Sequence, residues 1–479
     1  MNHPNHPFVR CSVAVLLASA ALRGCTSAPD VTTVSQDARR AYVQGVAAYE
    51  KFYYTEAESL LGRAVRLDST FAMAWGRLAN ISYGLDNERQ ARTEVDRAMA
   101  LAGGTTRREQ LYIRLWSHMV YYQAGEALRT ADTLVQEFPG EKEPFLTIGR
   151  LKERGRDLEG AIKAYQKAIS IDSGYALAVM SLGYAYSTAG DQDRAITEMQ
   201  RYITLAPDAA DPRASYADLL FRVGDYAEAL KQYRASLSLK PDYWYSLIQI
   251  GNIDVVYGRL TAAGEEFGRA IRALPRNPEA EAGIIATEAG LSVQRGDYQR
   301  ALALYERALR MDSTNTSAAY GTVKALTEMK QFEEAENGVA RIRTELASRN
   351  LLSSGAMVGF HLMRARLALH EGRPDDAQVA CDSAAVFANT LSRSAVCFQL
   401  AEIHLARHEY EEAIDACEEG LSVNRNNPLG LLVLAKVYNG RGDRSMTREL
   451  GERLLQFWSD ADPDYKYLVE LKHLLGASA

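Results

Sequence analysis

Histidine, tryptophan and cysteine are scarce in this chain: eight, four and five among 479 residues. Cys11 and Cys25 lie near the N-terminus, which leaves Cys381, Cys397 and Cys417 for all the rest, too few for a disulfide-built fold. No CxxC pair marks a zinc or redox centre. Acidic residues outnumber basic ones, 61 to 55, and no basic run occurs, so a phosphate-backbone partner is not expected. No apolar run reaches transmembrane length. Strand-like alternation is absent, and with it any P-loop, G-x-G-x-x-G turn or G-x-S-x-G elbow on a strand. These absences leave helices, and a pattern within them.

That pattern repeats every 34 or so residues from Ala38 almost to the C-terminus. A small residue is followed four positions later by a larger one and seven positions later by another small or mid-sized one. Examples are Ala57–Leu61–Ala64, Ala161–Tyr165–Ala168, Ala195–Met199–Tyr202, Ala229–Tyr233–Ser236, Ala263–Phe267–Ala270 and Ala301–Tyr305–Ala308. Positions i, i+4 and i+7 share one helix face. About a dozen residues earlier stands a second small residue, among them Gly45, Ala79, Gly149, Gly183, Gly251, Ala401 and Ala435, expected to let a first helix approach the alanine of a second. Between the two helices lie turns such as RGRD (154–157), VGDY (223–226) and GRGD (440–443). Glycine there suits a left-handed C-cap, and aspartate caps the next N-terminus.

These residues resemble the tetratricopeptide repeat over roughly 38–461. The resemblance implies an all-α fold: a right-handed α-solenoid of about twelve helix–turn–helix units. They are expected to start near residues 38, 72, 108, 142, 176, 210, 244, 282, 316, 358, 394 and 428. Extra residues fall near 278–282 and at 348–357. The last unit is degenerate, with Thr447 and Gly451 at the packing positions, and 462–479 reads as a capping helix and tail whose charged face meets water. The resemblance also implies that partners bind along a concave face lined by first helices. On that mapping Tyr42, Tyr49, Asn80, Tyr83, Tyr112, Trp116, Met180, Tyr184, Tyr245 and Asn252 form the candidate partner-binding groove, with Met73, Met119, Arg150, Asp218 and Phe221 beside them. The lysine of the carboxylate clamp used by some family members is replaced by Tyr112, Leu146 and Met180. In the C-terminal half Lys324, Arg366, Glu402 and Lys436 take the groove positions, which suggests a more polar partner there.

The N-terminus carries a second signal. Residues 11–22 are apolar and of signal-peptide length behind Arg10, and LRGC at 22–25 resembles a bacterial lipobox, with Arg23 departing from the usual small or apolar residue. Residues 1–24 are then a lipoprotein-type signal peptide, Cys25 the lipidation site and 25–37 a polar tether. The competing readings are an ordinary cleaved signal or an uncleaved anchor. With Thr26 and Ser27 after the cysteine, the resemblance points to the outer membrane, facing the periplasm.

Little else invites chemistry. His404 and His408 are four apart but lack a third ligand and the glutamate of H-E-x-x-H. RGD occurs at 295–297 and 441–443, where the repeat itself wants Gly and Asp. Cys397 stands between Cys381 and Cys417 in the repeat pattern, so either a disulfide with one of them or three buried thiols is open. No catalytic residue, metal, cofactor or small-molecule substrate is expected. The expected function is a non-enzymatic scaffold binding peptide or helical segments of envelope proteins; the alternative is a regulatory module partnering a signalling protein.

Overall fold

The computed structural model describes residues 31–85, 87–274, 278–349, 351–352, 356–388 and 390–476, so the leader and Cys25 lie outside the described residues. Among the described residues there are twenty-five α-helices, and the first twenty-four pair into twelve hairpins. Units one to four are α1 (Gln36–Glu50) with α2 (Tyr54–Leu67), α3 (Ala72–Gly84) with α4 (Glu88–Leu101), α5 (Arg107–Val120) with α6 (Ala124–Glu137), and α7 (Lys142–Arg154) with α8 (Leu158–Ile171). Units five to eight are α9 (Ala176–Thr188) with α10 (Gln192–Leu205), α11 (Asp211–Val223) with α12 (Tyr226–Leu239), α13 (Trp244–Val256) with α14 (Leu260–Ala273), and α15 (Pro278–Gln294) with α16 (Tyr298–Met311). Units nine to twelve are α17 (Thr316–Glu328) with α18 (Phe332–Ser348), α19 (Ala356–His370) with α20 (Pro374–Phe387), α21 (Thr390–Ala406) with α22 (Tyr410–Leu421), and α23 (Pro428–Arg441) with α24 (Arg444–Phe457). A last helix, α25, spans Lys466–Leu474.

The expected unit starts agree with these helices to within a few residues. The insertions become helix rather than loop: α15, α18 and α21 each run to 17 residues, about a turn longer than most of the others. Asp157, Asp191, Asp225, Asp297 and Asp443 each accept the backbone N–H three residues on and so start a second helix. Both RGD aspartates are among these caps.

Packing within a hairpin refines the sequence reading. The glycine of the first helix meets the large residue of the second, not its alanine. A methyl group on Gly149 would sit 2.2 Å from the Tyr165 ring, on Gly251 2.4 Å from Phe267, and on Gly45 2.7 Å from Leu61. The alanines, 0% exposed throughout, keep the helices close enough for that insertion. The degenerate last unit follows the same logic, because Gly451 is the notch for Leu475, which follows α25.

The solenoid closes on itself. Tyr53, in the first hairpin turn, accepts a hydrogen bond from the Ala210 N–H (3.1 Å) and packs on Tyr243, while Lys51 pairs with Asp208 (2.5 Å). Unit one therefore touches units five to seven. Arg156 of the unit-four turn donates to the carbonyls of Val386 (3.2 Å) and Ala388 (3.0 Å) in unit ten. Unit six meets the junction before unit twelve through Asn424, which donates to the Tyr226 hydroxyl (2.9 Å).

The hairpin turns take a left-handed residue, and at two of them closure demands glycine. Gly224 (φ 85°) and Gly258 (φ 75°) lie directly under the following superhelical turn; a Cβ on them would strike Asn424 at 2.1 Å and Tyr465 at 2.5 Å. Phe52 and Arg156 adopt positive φ despite their side chains, at a cost of about 1–2 kcal/mol each, and both side chains reach the next superhelical turn.

Two expectations are corrected. The tether does not extend to residue 37. Val31 is 2% exposed, and Thr32 donates both its backbone N–H (2.7 Å) and its hydroxyl (2.6 Å) to Glu109, a fully buried carboxylate that needs those donors. Thr33 donates to Asp68, and α1 begins at Gln36. Nor does α25 simply cap the end with a solvated face, as the next section describes.

Candidate functional site

The concave face is lined by one recurring position near the middle of each first helix. Along units two to seven it reads Asn80, Trp116, Arg150, Tyr184, Asp218 and Asn252; in units nine to twelve it reads Lys324, Arg366, Glu402 and Lys436. The two stretches have different surroundings.

In the C-terminal stretch the groove is filled by the chain's own end. Trp458 donates its indole N–H to the Val256 carbonyl (3.0 Å), and the Asp462 N–H donates to the Gly258 carbonyl (2.9 Å). Asp462 also accepts from Thr261 and from Arg295 (2.7 Å), and Asp464 pairs with Arg295 (2.9 Å). These contacts lead α25 across the charged row. Lys466 lies 3.6 Å from Glu328, Lys436 pairs with Glu470, and burial pushes the Tyr467 hydroxyl up to about 12. Burial, with Arg366 and Lys466 adding repulsion, pulls the Lys324 ammonium down to about 7. The polar partner expected of this half is thus a segment of the same chain.

In the N-terminal stretch the row has a different cover: the turn of unit one, with Phe52 and Tyr54, lies over units five to seven, while Asn80, Trp116 and Arg150 line a hollow bounded by units one to five. Its floor holds two clusters. In the first, the Arg77 guanidinium, 5% exposed, donates two hydrogen bonds to Glu143 (2.7 and 3.0 Å) and lies 4.6 Å from the Trp116 ring centre. Asn80 donates to the Tyr49 hydroxyl beside it (3.2 Å). Arg150 and Glu50 line the same hollow.

The second cluster is built on one face of α11, where Asp211, Ser215 and Asp218 follow helical spacing. Asp218 accepts hydrogen bonds from the hydroxyls of Tyr184 (2.6 Å), Tyr233 (2.5 Å) and Tyr245 (2.9 Å). Asp211 accepts from Tyr243 (2.6 Å), Tyr202 (2.8 Å) and Ser215 (3.2 Å). Burial nevertheless raises both carboxyls, Asp211 to about 6.

Set against the groove expected from sequence, Tyr42, Tyr112 and Trp116 are each 2% exposed and Met180 is 9% exposed, so as drawn they are core. Tyr42 packs on Phe71, Tyr112 donates to Glu141 (2.9 Å), and Trp116 fills the notch at Gly76. These positions are largely covered by neighbouring units, although Trp116 still borders the hollow beside Arg77. Tyr49, Asn80, Tyr83, Tyr184, Tyr245 and Asn252 are half-buried along the face; Tyr83 accepts from Arg154 (2.7 Å), and Asn252 donates to Gln249 (3.0 Å). Asp211 and Tyr243 escaped the sequence reading, and Tyr202 entered it only as a packing residue of the repeat; the only other signal was an aspartate at the start of a first helix, which reads equally well as a dipole partner.

No metal-ligating group of three or more His, Cys, Asp or Glu occurs among the described residues. His408 lies in the turn after α21 with φ 62°, so it shares no helix face with His404, whose ring pairs with Glu409 (2.6 Å). Cys381, Cys397 and Cys417 are buried free thiols. Burial pushes all three up, to about 12, 11 and 12.

An α-solenoid of helical hairpins with a lined concave face is the class defined by this geometry. Tetratricopeptide-repeat family models match residues 146–210, 217–278 and 292–352. The TPR repeat-containing protein MJ1428 of Methanocaldococcus jannaschii is 20% identical over 304 residues, 59% of this chain and 52% of that protein. The chain thus spans about half the length of this curated relative. Similar solved structures include a tetratricopeptide repeat protein from Parabacteroides merdae, with TM-score 0.39 and 16% identity over 55% of this chain and 98% of that one. Human IFIT1, solved as a dimer with m7Gppp-AAAA, has TM-score 0.41 and 15% identity over 90% of this chain and 92% of that one. The chain carries tetratricopeptide repeats over these residues, and such repeats form a scaffold for protein–protein interaction.

Proposed function

We propose that the chain is a non-enzymatic, lipid-anchored envelope scaffold that binds a peptide or helical segment of another protein along the concave face of units one to seven. The observation that carries the groove reading is α25. One half of the concave face already holds a helix through ion pairs and buried aromatics, whereas around Asn80, Trp116 and Arg150 the same row of positions lines a hollow bounded by units one to five. The anchor rests on the lipobox-like LRGC and Cys25, with the periplasmic face of the outer membrane as the proposed location. No helix among the described residues is long and apolar enough to cross a membrane. Five residues separate Cys25 from the pinned Val31. At about 3.5 Å per residue, an anchor at Cys25 would hold the first unit within about 20 Å of the lipid.

Two experiments test this. Affinity capture of the full chain from its own membranes, beside Cys25→Ala, should yield envelope proteins that vanish with the substitution; cytoplasmic regulators captured equally by both would sink the anchor. A photo-crosslinking residue at Asn80 or Asn252 should trap a partner, while one at Lys324 should crosslink only to 466–474. Partners trapped at Lys324 and none at the other two positions would overturn the groove assignment.

A further inference from the structure

The turn of unit one closes over the concave face of units five to seven and leaves a cavity of about 270 Å³. Its walls are aromatic: Phe52 and Tyr54 from the first turn, Tyr184 from α9, and Tyr243, Trp244 and Tyr245 at the start of α13. Neighbouring rings in the wall stand edge-to-face. Phe52 and Tyr54 are nearly perpendicular (88°) at 5.8 Å, and Trp244 and Tyr245 stand at 78° and 6.2 Å. The floor is Asp211, Ser215 and Asp218.

The charge of that floor is unbalanced. Every hydrogen bond to the two carboxylates described above comes from a neutral hydroxyl, and hydroxyls solvate an anion without neutralising it. Among the described residues no Lys, Arg or His nitrogen lies within ion-pair distance of either aspartate. Arg222, on α11 itself, faces the cluster from over the Tyr184 ring at 5.3 Å; one of its terminal nitrogens is buried without a hydrogen-bond partner, and it does not reach Asp218. A space walled by aromatic rings and floored by two carboxylates without an ion-pair partner, with only the more distant Arg222 charge acting on Asp218, is complementary to a soft cation. Ring quadrupoles and carboxylates both attract positive charge, and the apolar walls suit the weakly hydrated coat of an alkylated ammonium or a guanidinium better than a metal ion.

We propose that this cavity is a binding site for one organic cation, a guanidinium or an alkylated ammonium group. The cation is either the end of a partner's side chain, in which case the site is the anchor point of the groove and rests on that reading, or a free small molecule. Within the groove, Asp211 and Asp218 supply the charge and Trp244 and Tyr184 the ring faces.

The test uses the purified full chain with no partner, so its failure and the failure of partner capture are separable. Three probes are titrated at constant ionic strength by calorimetry and by tryptophan fluorescence, with Trp244→Phe to assign the signal: choline, N-acetylarginine methylamide, and 3,3-dimethylbutanol, the neutral isostere of choline. Saturable binding of at least one cation is expected, with the isostere at least tenfold weaker or so. Tighter binding of the arginine amide identifies a side chain as the source, and tighter binding of choline a free molecule. Asp218→Asn should weaken the cation by about tenfold or more. Trp244→Ala, which removes a half-buried ring and leaves the carboxylates in place, should weaken it too, so the result stands if the first variant misfolds. Equal binding of the isostere would show an apolar cleft only, and no saturation by either cation would refute the site; both overturn the proposal.

Discussion

The two halves of the concave face use one structural position for opposite ends. From Asn80 to Asn252 it carries amides, aromatics, Arg150 and Asp218; from Lys324 to Lys436 it carries charges crossed by α25, which pairs Glu470 with Lys436. A groove that must be stable without a partner has to cover or solvate its polar floor. The C-terminal half covers it with α25. The N-terminal half solvates it from within, using tyrosine hydroxyls for Asp211 and Asp218 and a bidentate guanidinium for Glu143. The first solution lays a helix over the floor, and the second stabilises it with side chains of the floor itself.

The sharpest way to break the comparison is to unseat the C-terminal segment. Trp458 is 1% exposed and packs edge-on to Tyr465 at 5.5 Å. Trp458→Ala should cost about 3–5 kcal/mol. Because repeats couple mainly to their neighbours, hydrogen exchange should rise in units seven, eleven and twelve and in α25, with units one to four unchanged. Uniform acceleration along the chain would mean that the halves are one cooperative unit. The converse change is Glu143→Leu, which leaves the Arg77 guanidinium buried and unpaired. About 3 kcal/mol of loss is expected, confined to units one to four. If exchange around α25 rises as much as around α3, the separation of the halves fails.

A smaller change probes the repeat itself. Ala229 is fully buried in α12, and Ala229→Leu should overpack the α11–α12 contact by about 1–3 kcal/mol, seen as faster local proteolysis in unit six. Wild-type proteolysis would refute the register. That register was legible from sequence because it is local: the glycine notches, the alanines and the Asp caps each act within one hairpin. Even Gly451, which breaks the pattern, marked the place where Leu475 docks. Closure of the superhelix was not legible. Gly224 reads as an ordinary turn glycine, and nothing within its own hairpin announces Asn424 lying on top of it, nor does the hairpin of Gly258 announce Tyr465. For the same reason Tyr112 and Trp116 looked like groove residues. A helical position facing inward reads alike whether solvent, a partner or the next unit covers it, and only the rotation between units decides.

The gentlest test uses pH, and there the halves should respond in opposite senses. Asp211 is pushed from 3.8 to about 6 by burial, with Asp218 nearby and Tyr202, Tyr243 and Ser215 donating to it. Between these pH values the folded state holds more protons than the unfolded one, so this group makes stability fall as pH rises from about 4 to 6. Lys324 is pulled from 10.5 to about 7 by burial and by Arg366 and Lys466, against the pull of Glu328 and Glu402. There the unfolded state holds more protons, so this group makes stability rise from about pH 7 to 10.5. Each slope is at most about 1.4 kcal/mol per pH unit. Other carboxyls titrate in the same acid range, so the informative quantity is a difference. Wild type minus Asp211→Asn should slope downward only below about pH 6, and wild type minus Lys324→Met should slope upward only above about pH 7. Denaturant midpoints followed across pH give both differences. Flat differences in both windows would mean that water reaches the two groups, and the contrast between an internally solvated half and a helix-covered half would have to be abandoned.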